Sequence, residues 1–363
     1  MTTTQAMRSR RRVCVVGAGV IGLASAVNIV ENIPGVEVTV VAEKFSSPDI
    51  TSCVSGGLWH GSDSIGATPR DRLIKWSRET WNHNLALMKT PEGSKAGIQF
   101  IHIYRICPQI VTPDIPESHW WKDDVFGYHM MAPHQVERLF PGYKGAFSYL
   151  SSITDTTLYL PYLRNRFRAK GGQLVERRLG SLAELAGEYD VVVNCSGLGA
   201  KTLANDKNIR PMRGQIFRVR APSQTFCILE EYSRHAKRDV EADCYVLVRN
   251  GVVILGGTRQ ANRWDTTPNK KDGEEIMRKT VRLLPNLKDC EVLEEKVGLR
   301  PSRPVGVRLE AETMRFGSQE LKVVHNYGHD GNGVTMHWGC GREAAEIVRG
   351  ILASSPWQPQ SKL

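Results

Sequence analysis

A glycine-rich motif is the strongest chemical signal in the sequence. It reads G-x-G-x-x-G at Gly17, Gly19 and Gly22, and it lies between an apolar run typical of a buried strand and a helical stretch. In nucleotide-binding proteins the first glycine permits a tight turn, the second lets the backbone approach a pyrophosphate, and the third lets the helix pack against the strand. The phosphates then lie at the positive end of the helix. The motif therefore predicts a dinucleotide site.

Two further features indicate which dinucleotide binds. Glu43 falls 21 residues after Gly22, at the end of a second strand-like run, where a carboxylate can hydrogen-bond the adenosine ribose. The polar, glycine-rich segment 45–60 follows, and it lacks the third strand of a plain nicotinamide-binding domain. Gly56 and Gly57 allow a planar ring to lie against backbone amides, although an ordinary surface loop has a similar composition. We expect a flavin rather than a nicotinamide.

Histidines and cysteines are the residue types that could bind a metal or carry out thiol chemistry. His325 and His329 are four residues apart, but they lack a third ligand, so hydrogen-bonding roles are favoured over a metal site. The segment 330–334 does not fit a calcium loop, because Val334 replaces a ligand. The eight cysteines are scattered without a C-x-x-C pair, which is typical of reduced thiols. We predict no metal and a reducing compartment.

Strands and helices alternate in the parts of the chain that carry these motifs. The expected fold class is α/β, with a discontinuous Rossmann-like FAD-binding domain and a second, mainly antiparallel-sheet domain that covers the substrate. The chain has 363 residues, enough for two domains. The predicted ranges are 13–60, 150–210 and 296–353 for the FAD-binding domain, 61–149 and 211–295 for the substrate domain, 1–12 for a disordered basic tail, 354–363 for a targeting tail, and 229–243 for a mobile charged lid.

The charge of the chain limits its partners. Lys and Arg total 48 against 38 acidic residues, a net charge of +10, and four of the positive charges lie in the N-terminal tail at Arg8, Arg10, Arg11 and Arg12. A solvated arm is favoured over nucleic-acid binding, because no nucleic-acid motif accompanies the charge. The positive charge can instead attract acidic small molecules. No apolar run approaches the roughly 20 residues of a membrane helix, and no secretory signal is apparent.

The last three residues form a targeting signal. Ser361, Lys362 and Leu363 are the tripeptide that the peroxisomal import receptor binds, and a helix-breaking tail precedes them. We expect the protein in the peroxisomal matrix, a compartment that houses oxidases releasing hydrogen peroxide.

Six blocks of sequence, spread in order along the chain, resemble the D-amino-acid oxidase family. The resemblance implies FAD bound without a covalent link, a second domain over the flavin, and oxidation of a D-amino acid to an imino acid by molecular oxygen, with release of hydrogen peroxide. The blocks are residues 16–23, 192–199, 213–215, 255–260, 298–304 and 325–339.

The resemblance also implies roles for three site residues. Arg300 offers a planar fork for a bidentate grip on the substrate α-carboxylate. Tyr245 resembles the tyrosine that donates a second hydrogen bond to the same carboxylate, and Gly331 presents its carbonyl to the substrate amine. These contacts hold the Cα hydrogen against flavin N5, so hydride transfer requires positioning and no protein base at that carbon.

A larger set of residues is expected to contact FAD, partly from the glycine motif and partly from the resemblance. The loop 330–335, before the final helix, supplies backbone donors near the flavin C2 carbonyl. The expected FAD contacts are Gly17, Gly19, Val20, Ile21, Gly22, Glu43, Lys44, Thr51, Ser52, Gly56, Gly57, Leu58, Leu179, Ser196, Gly197, Asp330, Gly331, Asn332, Gly333, Val334 and Thr335.

Charge near the site predicts the class of substrate. Family members that oxidise neutral D-amino acids usually have an uncharged residue at the position of Arg259, whereas those that oxidise D-aspartate have arginine. Arg238 resembles a second arginine of that group. Two arginines besides Arg300 favour acidic substrates, namely D-aspartate, D-glutamate and N-methyl-D-aspartate. His60, where many neutral-substrate members have glutamine, can tune the choice of substrate or the pH dependence.

Alternatives remain at this point. An oxidase of neutral D-amino acids such as D-alanine is the first, and an oxidase of secondary amines or a flavin-bearing scaffold protein are weaker ones. The segment 53–57 departs from the usual family pattern, which affects the expected local contacts to the flavin. The sequence leaves the oligomeric state open, with a homo-oligomer as one option.

Overall fold

The computed structural model describes residues 11–45, 50–62, 64–108, 118–230 and 242–354, without the side chains of residues 242 and 243. The described chain forms two sheets, one of six and one of nine strands, with helices packed against them. The predicted α/β class is confirmed. The predicted lid falls largely, and the two tails almost entirely, outside the described residues.

The six-stranded sheet is mainly parallel. Its strand order is β14-β15-β7-β1-β2-β6, and only β14 runs antiparallel to its neighbour. Runs of valine form its central strands, as expected for strands that are buried on both faces. Its strands are β1 Arg11–Val16, β2 Val36–Ala42, β6 Gln173–Glu176, β7 Val191–Asn194, β14 Arg308–Phe316 and β15 Gln319–Tyr327.

The first strand begins two residues earlier than predicted. Arg11 and Arg12 were placed in the disordered tail, but both belong to β1. The Arg12 amide donates to Oδ2 of Asp190 at 2.7 Å, and the Asp190 amide donates to the Arg12 carbonyl at 2.8 Å. These two bonds, and the pairing of Arg11 and Arg12 with Val36 and Glu37 of β2, extend the strand beyond the apolar run, which the apolar pattern alone does not indicate.

The nine-stranded sheet is almost wholly antiparallel. From β8 it continues through β11, β10, β9, β3, β5 and β4, and the short β12 shares an edge of β8 with β11, while β13 pairs along its other edge. Its strands are β3 Ile98–Cys107, β4 Phe126–Met130, β5 Gly145–Thr154, β8 Arg210–Arg220, β9 Cys227–Glu230, β10 Ala242–Arg249, β11 Val252–Thr258, β12 Gln260–Ala261 and β13 Glu291–Ser302.

Three predicted domain boundaries fall inside strands of this sheet, and the one between residues 210 and 211 lies just after the first residue of β8. The boundary at 296 lies within β13, whose pairing with β8 is continuous from Glu291 to Ser302. The boundary at 150 lies within β5, which pairs with β3 over its whole length. The chain therefore leaves the nine-stranded sheet after residue 302 and after residue 154.

The helices enclose the main core on the six-stranded sheet. Helix α1 (Val20–Asn32) begins after Gly19, whose backbone is extended, and nine of its 13 residues are buried between the sheet and the last helix, α9 (Gly333–Ser354). None of the described helices is both long and apolar enough to cross a membrane. The helices are α1 Val20–Asn32, α2 Thr51–Val54, α3 Arg70–Met88, α4 Glu92–Lys95, α5 Pro133–Leu139, α6 Thr156–Ala169, α7 Ala200–Leu203, α8 Lys270–Leu283 and α9 Gly333–Ser354.

Candidate active site

The glycine motif forms the predicted strand, turn and helix. Gly17 has φ of +106°, and a Cβ there would lie 2.6 Å from the carbonyl oxygen of Cys195. A Cβ at Gly22 would lie 1.9 Å from the Gly17 carbonyl oxygen. Only glycine fits either position, because the turn is left-handed at the first and the helix packs directly on the turn at the second.

The start of α1 meets the segment that contains α2. The Val20 amide donates to Oγ of Ser52 at 3.1 Å, and a Cβ at Gly19 would lie 3.2 Å from the same oxygen. A hydroxyl beside free helix-terminal amides suits a pyrophosphate, which accepts from both kinds of donor. The structure thus brings together Gly19, Val20 and Ser52, three of the residues expected to contact the cofactor.

Other expected cofactor residues lie along the same carboxyl edge of the parallel sheet. Glu43 and Lys44 directly follow β2 and are exposed, with Glu43 4.0 Å from Nη1 of Arg178. At the end of β7, Ser196 donates from Oγ to Asn194 at 2.7 Å, and Gly197 begins a short turn with φ of +57°. Leu179 and the half-buried Ile21 pack at the margins of the apolar clusters that flank this sheet.

The segment 51–58 is held between the two sheets by its backbone. Thr51 donates from Oγ1 to the Leu299 carbonyl at 2.6 Å, and Leu58 forms a bridge with Ile153 of β5. Gly57 has φ of +78°, and a Cβ there would lie 1.9 Å from the carbonyl oxygen of Thr154. A Cβ at Gly56 would collide with Leu247 of β10. Close approach of the β5 backbone therefore explains Gly57, and close approach of the Leu247 side chain explains Gly56.

Arg300 lies across the edge of β8. Its guanidinium covers Gly214, where a Cβ would lie 2.4 Å from Nη1, and Nη1 donates to the carbonyl of Thr258 at 2.9 Å. The glycine leaves space for the guanidinium to lie flat on the sheet, with its remaining N–H groups available to an anion. This geometry is what a bidentate grip on a carboxylate requires.

Tyr245 lies on the same face of the sheet. It pairs with Gly256 on β11, and Gly256 in turn pairs with Ile216, two residues from Gly214 on β8. Residues directly opposite each other on paired strands share a face, so the ring of Tyr245 and the guanidinium of Arg300 point the same way. A Cβ at Gly257 would lie 2.5 Å from the Tyr245 hydroxyl. The strand glycines therefore leave the space that both functional side chains occupy, Gly214 for Arg300, and Gly256 and Gly257 for Tyr245.

The loop before α9 joins these side chains to the start of α1. A Cβ at Gly331 would lie 3.4 Å from Cδ of Arg300 and 4.0 Å from Nη1 of Arg259. A Cβ at Gly333 would lie 3.9 Å from Cγ1 of Val20, so α9 and α1 begin side by side. Two helix N-termini at one point produce a positive potential that favours an anionic group. Val334 and Thr335 are buried in the first turn of α9.

The same loop contains polar atoms that the described chain does not satisfy. His329 Nε2, Asp330 Oδ1 and Asn332 Oδ1 are buried and have no hydrogen-bond partner among the described residues. Burial lowers the pKa of His329 to about 3, so its ring is neutral at pH 7. Buried polar groups are normally hydrogen-bonded, and the polar edge of a flavin has donors and acceptors that can meet them. The residues present therefore fit FAD.

Thiol and metal chemistry have no support in the geometry. All eight cysteines are free, and burial raises the pKa of Cys195 and of Cys227 to about 12. Such thiols stay protonated and unreactive. Over the part of the chain that the structure describes, no group of three or more His, Cys, Asp or Glu side chains could hold a metal ion.

Three predictions about the site are not tested by this geometry. Arg238 lies outside the described residues, as do Ser361, Lys362 and Leu363. His60 is half-buried directly after Trp59, whose amide donates to the Ser152 carbonyl at 2.9 Å. Its part in substrate choice stays a prediction.

The role of the strand glycines was not predicted from the sequence. Gly214, Gly256 and Gly257 entered only as parts of family motifs, yet they determine where Arg300 and Tyr245 lie. The signal was present, because glycine inside a strand pattern often marks a close approach. It could not say which side chain approaches, since that depends on the pairing of distant strands.

Comparison with known proteins agrees with this geometry. The chain matches the family model described as FAD dependent oxidoreductase over residues 12–347. It is 37% identical over 337 residues to the D-aspartate oxidase of Homo sapiens, covering 93% of this chain and 94% of that protein. It is 36% identical over 351 residues to a D-amino-acid oxidase of Rubrobacter xylanophilus, covering 96% and 99%. The structure of glycine oxidase from Bacillus cereus has the same fold, with a TM-score of 0.73, 19% identity, and coverage of 94% of this chain and 95% of that one.

Proposed function

Because the chain belongs to the D-amino-acid oxidase family of FAD-dependent oxidoreductases, with FAD as its cofactor, we propose that it is an oxidase of acidic D-amino acids, with D-aspartate, D-glutamate and N-methyl-D-aspartate as substrates. The observation that carries the proposal is the convergence of two guanidinium groups, those of Arg300 and Arg259, on Gly331. One grips the α-carboxylate and the other the side-chain carboxylate. Similarity to a D-aspartate oxidase supports the same assignment.

The described side chains bind and orient the substrate. Arg300 and Tyr245 hold the α-carboxylate from one face of the nine-stranded sheet, and the carbonyl of Gly331 accepts from the amine. His329 is neutral and buried, so it contributes a fixed dipole and no charge. Positioning is thus the contribution of the protein, and Arg259 sets the distance at which a second carboxylate is held.

The reaction is a two-electron oxidation of the substrate C–N bond. FAD, when bound, supplies the electron acceptor and passes the electrons to molecular oxygen. The amino acid loses a hydride and a proton as an imine forms, oxygen gains two electrons and two protons as hydrogen peroxide, and water hydrolyses the imine to the 2-oxo acid and ammonia. Because the hydrogen leaves Cα as a hydride, this reaction requires no protein base at that carbon.

A neutral D-amino acid is the second candidate substrate. Arg259 already has an acidic neighbour, because its Nη2 lies 3.4 Å from Oδ2 of Asp330. A neutral substrate would then leave Arg259 paired within the protein. The 36% identity to a D-amino-acid oxidase supports this candidate as well.

The C-terminal tripeptide supports a location in the peroxisomal matrix. Ser361, Lys362 and Leu363 match the signal that the import receptor binds. Peroxide release fits that compartment, and the import receptor would be the protein partner that the tripeptide implies.

The proposal is tested by peroxide formation. The purified protein, with FAD added, is incubated with D-aspartate, D-alanine and L-aspartate in parallel. A kcat/KM for D-aspartate well above that for D-alanine, with no peroxide from L-aspartate, is the expected result. The reverse order of the two D-amino acids would assign the second candidate, and silence on all three would contradict both.

A further inference from the structure

Asp330 is an acidic residue placed inside the arginine cluster of the site. Its Oδ2 lies 3.4 Å from Nη2 of Arg259, and its side chain is 18% exposed against 33% for that arginine. Oδ1 is buried and has no hydrogen-bond partner among the described residues. Among the described residues, the contact that holds this carboxylate is therefore its ion pair with Arg259.

The backbone of Asp330 fixes its direction. Its φ is +49°, a left-handed conformation that aspartate, asparagine and glycine tolerate best. The adjoining Gly331 lies against both Arg300 and Arg259. A bridge between Ser302 and His329 ties the loop to β13 just beyond Arg300. The carboxylate of Asp330 is therefore held within the region where the second carboxylate of an acidic substrate would lie.

Two carboxylates that bind the same guanidinium repel each other, because both are negatively charged. The ion pair at 3.4 Å is longer than a strong charge-assisted hydrogen bond, and it is partly exposed, so it is weak enough for a ligand to replace. A substrate carboxylate that binds Arg259 must displace Asp330 or accept its repulsion. A neutral substrate neither displaces Asp330 nor is repelled by it, because the ion pair between Arg259 and Asp330 stays intact.

We propose that Asp330 is the resting counter-ion of Arg259 and a specificity-determining residue, which weakens the binding of acidic substrates and relieves the penalty for neutral ones. The proposal rests on the proposed function. The degree of discrimination between acidic and neutral D-amino acids thereby depends on Asp330 as well as on Arg259.

The first test measures binding without turnover. Succinate and butyrate, a four-carbon dicarboxylate and monocarboxylate that lack an amine, are titrated into the FAD-loaded protein, and the change in the flavin absorption spectrum is followed. In Asp330→Asn, which retains the left-handed preference, the Kd for succinate should fall about five- to tenfold, while the Kd for butyrate changes by less than about twofold. Equal changes for the two ligands, or none, would overturn the proposal.

Two controls separate the counter-ion role from other effects. In an Arg259→Met background, Asp330→Asn should no longer change the ratio of the two Kd values, and a persisting change would show that Asp330 acts through another group. Glu320→Gln removes the same charge from an exposed pair with Arg315 at the other end of β15, and should leave the ratio unaltered. Asp330→Gly serves if the asparagine variant does not bind FAD.

A second test uses the reaction itself. The ratio of kcat/KM for D-aspartate to that for D-alanine should rise about tenfold in Asp330→Asn, and a ratio that falls or stays constant would contradict the counter-ion role. If the unmodified protein makes no peroxide from either amino acid while Asp330→Asn still tightens succinate binding, the proposed function fails and the counter-ion role stands. If the unmodified protein makes peroxide from D-aspartate but Asp330→Asn has no effect on binding or on the kcat/KM ratio, the proposed function stands and the counter-ion role fails.

Discussion

Arg259 and Arg300 have the same side chain but different surroundings, and those surroundings divide their work. Arg300 lies flat over Gly214 and donates to the Thr258 carbonyl, so its direction is fixed by the sheet. Arg259 lies just after β11, is one-third exposed, and among the described residues has the weak pair with Asp330 to direct it. A rigid fork suits the carboxylate that every substrate has, and an adjustable one suits side chains of different length.

Replacement of Arg259 should separate acidic from neutral substrates. In Arg259→Met, kcat/KM for D-aspartate should fall about 100-fold, because a desolvated carboxylate loses its charged partner at roughly 3 kcal/mol. The kcat/KM for D-alanine should change by less than about fivefold. Steady-state peroxide assays on both substrates measure the two values. Arg300→Lys is the comparison, since it should lower both by similar factors, and an equal loss on both substrates in Arg259→Met would remove that residue from the specificity site.

At the scale of elements, the glycines of adjacent strands decide where the functional side chains lie. A Cβ at Gly214 would collide with the guanidinium of Arg300, and one at Gly256 would collide with the ring of Tyr245. Strands β8 and β11 thus form a shallow floor of backbone, and the two long side chains lie across it from the flanking strands β13 and β10. The geometry depends on register, since a shift of one residue would turn both side chains to the other face.

Gly214→Ala should therefore impair the enzyme without touching the substrate. The added methyl must displace the guanidinium of Arg300, so kcat/KM should fall about 100-fold for D-aspartate and D-alanine alike, as expected for misplacement of about 1 Å. Gly350→Ala in α9 is the matched control, because its Cβ meets nothing within 4 Å. The control should keep full activity and gain up to about 1 kcal/mol in stability. A fully active Gly214→Ala variant would mean that Arg300 can move without consequence.

Local motifs were predictable from the sequence, and long-range pairing was not. The turn at Gly17, the helix that follows and the acidic residue after β2 depend on residues close together in the chain, and the structure has them as predicted. The limits of β5 and β13 depend on pairing with β3 and β8, whose paired residues lie between 38 (Cys107 with Gly145) and 92 (Arg210 with Ser302) positions earlier in the chain, and the predicted boundaries at 150 and 296 fall inside these strands. Pairing of Asp330 with Arg259 also requires the fold, because 71 residues separate them.

At the scale of the whole molecule, the cofactor cleft lies over a core that contains neutral histidines. The hydroxyl of Tyr159 on α6 lies 2.8 Å from Nε2 of His337, and Nδ1 of His337 lies 2.8 Å from the Val334 carbonyl in the first turn of α9. With Nδ1 as the donor to that carbonyl, Nε2 accepts from Tyr159. The ring of His83 stacks on Trp338 at 3.5 Å and joins the same cluster. This buried network joins α6 and α3 to the turn that faces the flavin site.

The network should make the stability of the whole protein depend on pH. Burial lowers the pKa of His337 to about 4 and that of His329 to about 3, from 6.5 in the unfolded chain. The unfolded chain therefore binds more protons below pH 6.5, so the stability that neutral histidines contribute is complete above that pH and is lost as the pH falls towards 4. Between pH 7.5 and 5.5 each of the two histidines should lower the free energy of unfolding by roughly 1 kcal/mol.

His337→Gln isolates the share of one residue, because glutamine can accept from Tyr159 and donate to the Val334 carbonyl but does not titrate. Urea unfolding of the protein, at one fixed concentration of added FAD, gives the loss of stability between pH 7.5 and 5.5 for each protein. That loss should be smaller by roughly 1 kcal/mol in the variant, whatever its stability at pH 7.5. Carboxylates titrate equally in both proteins and cancel in the comparison. The same pH dependence with and without His337 would mean that its ring takes up a proton equally in the folded and the unfolded chain, so that burial does not lower its pKa.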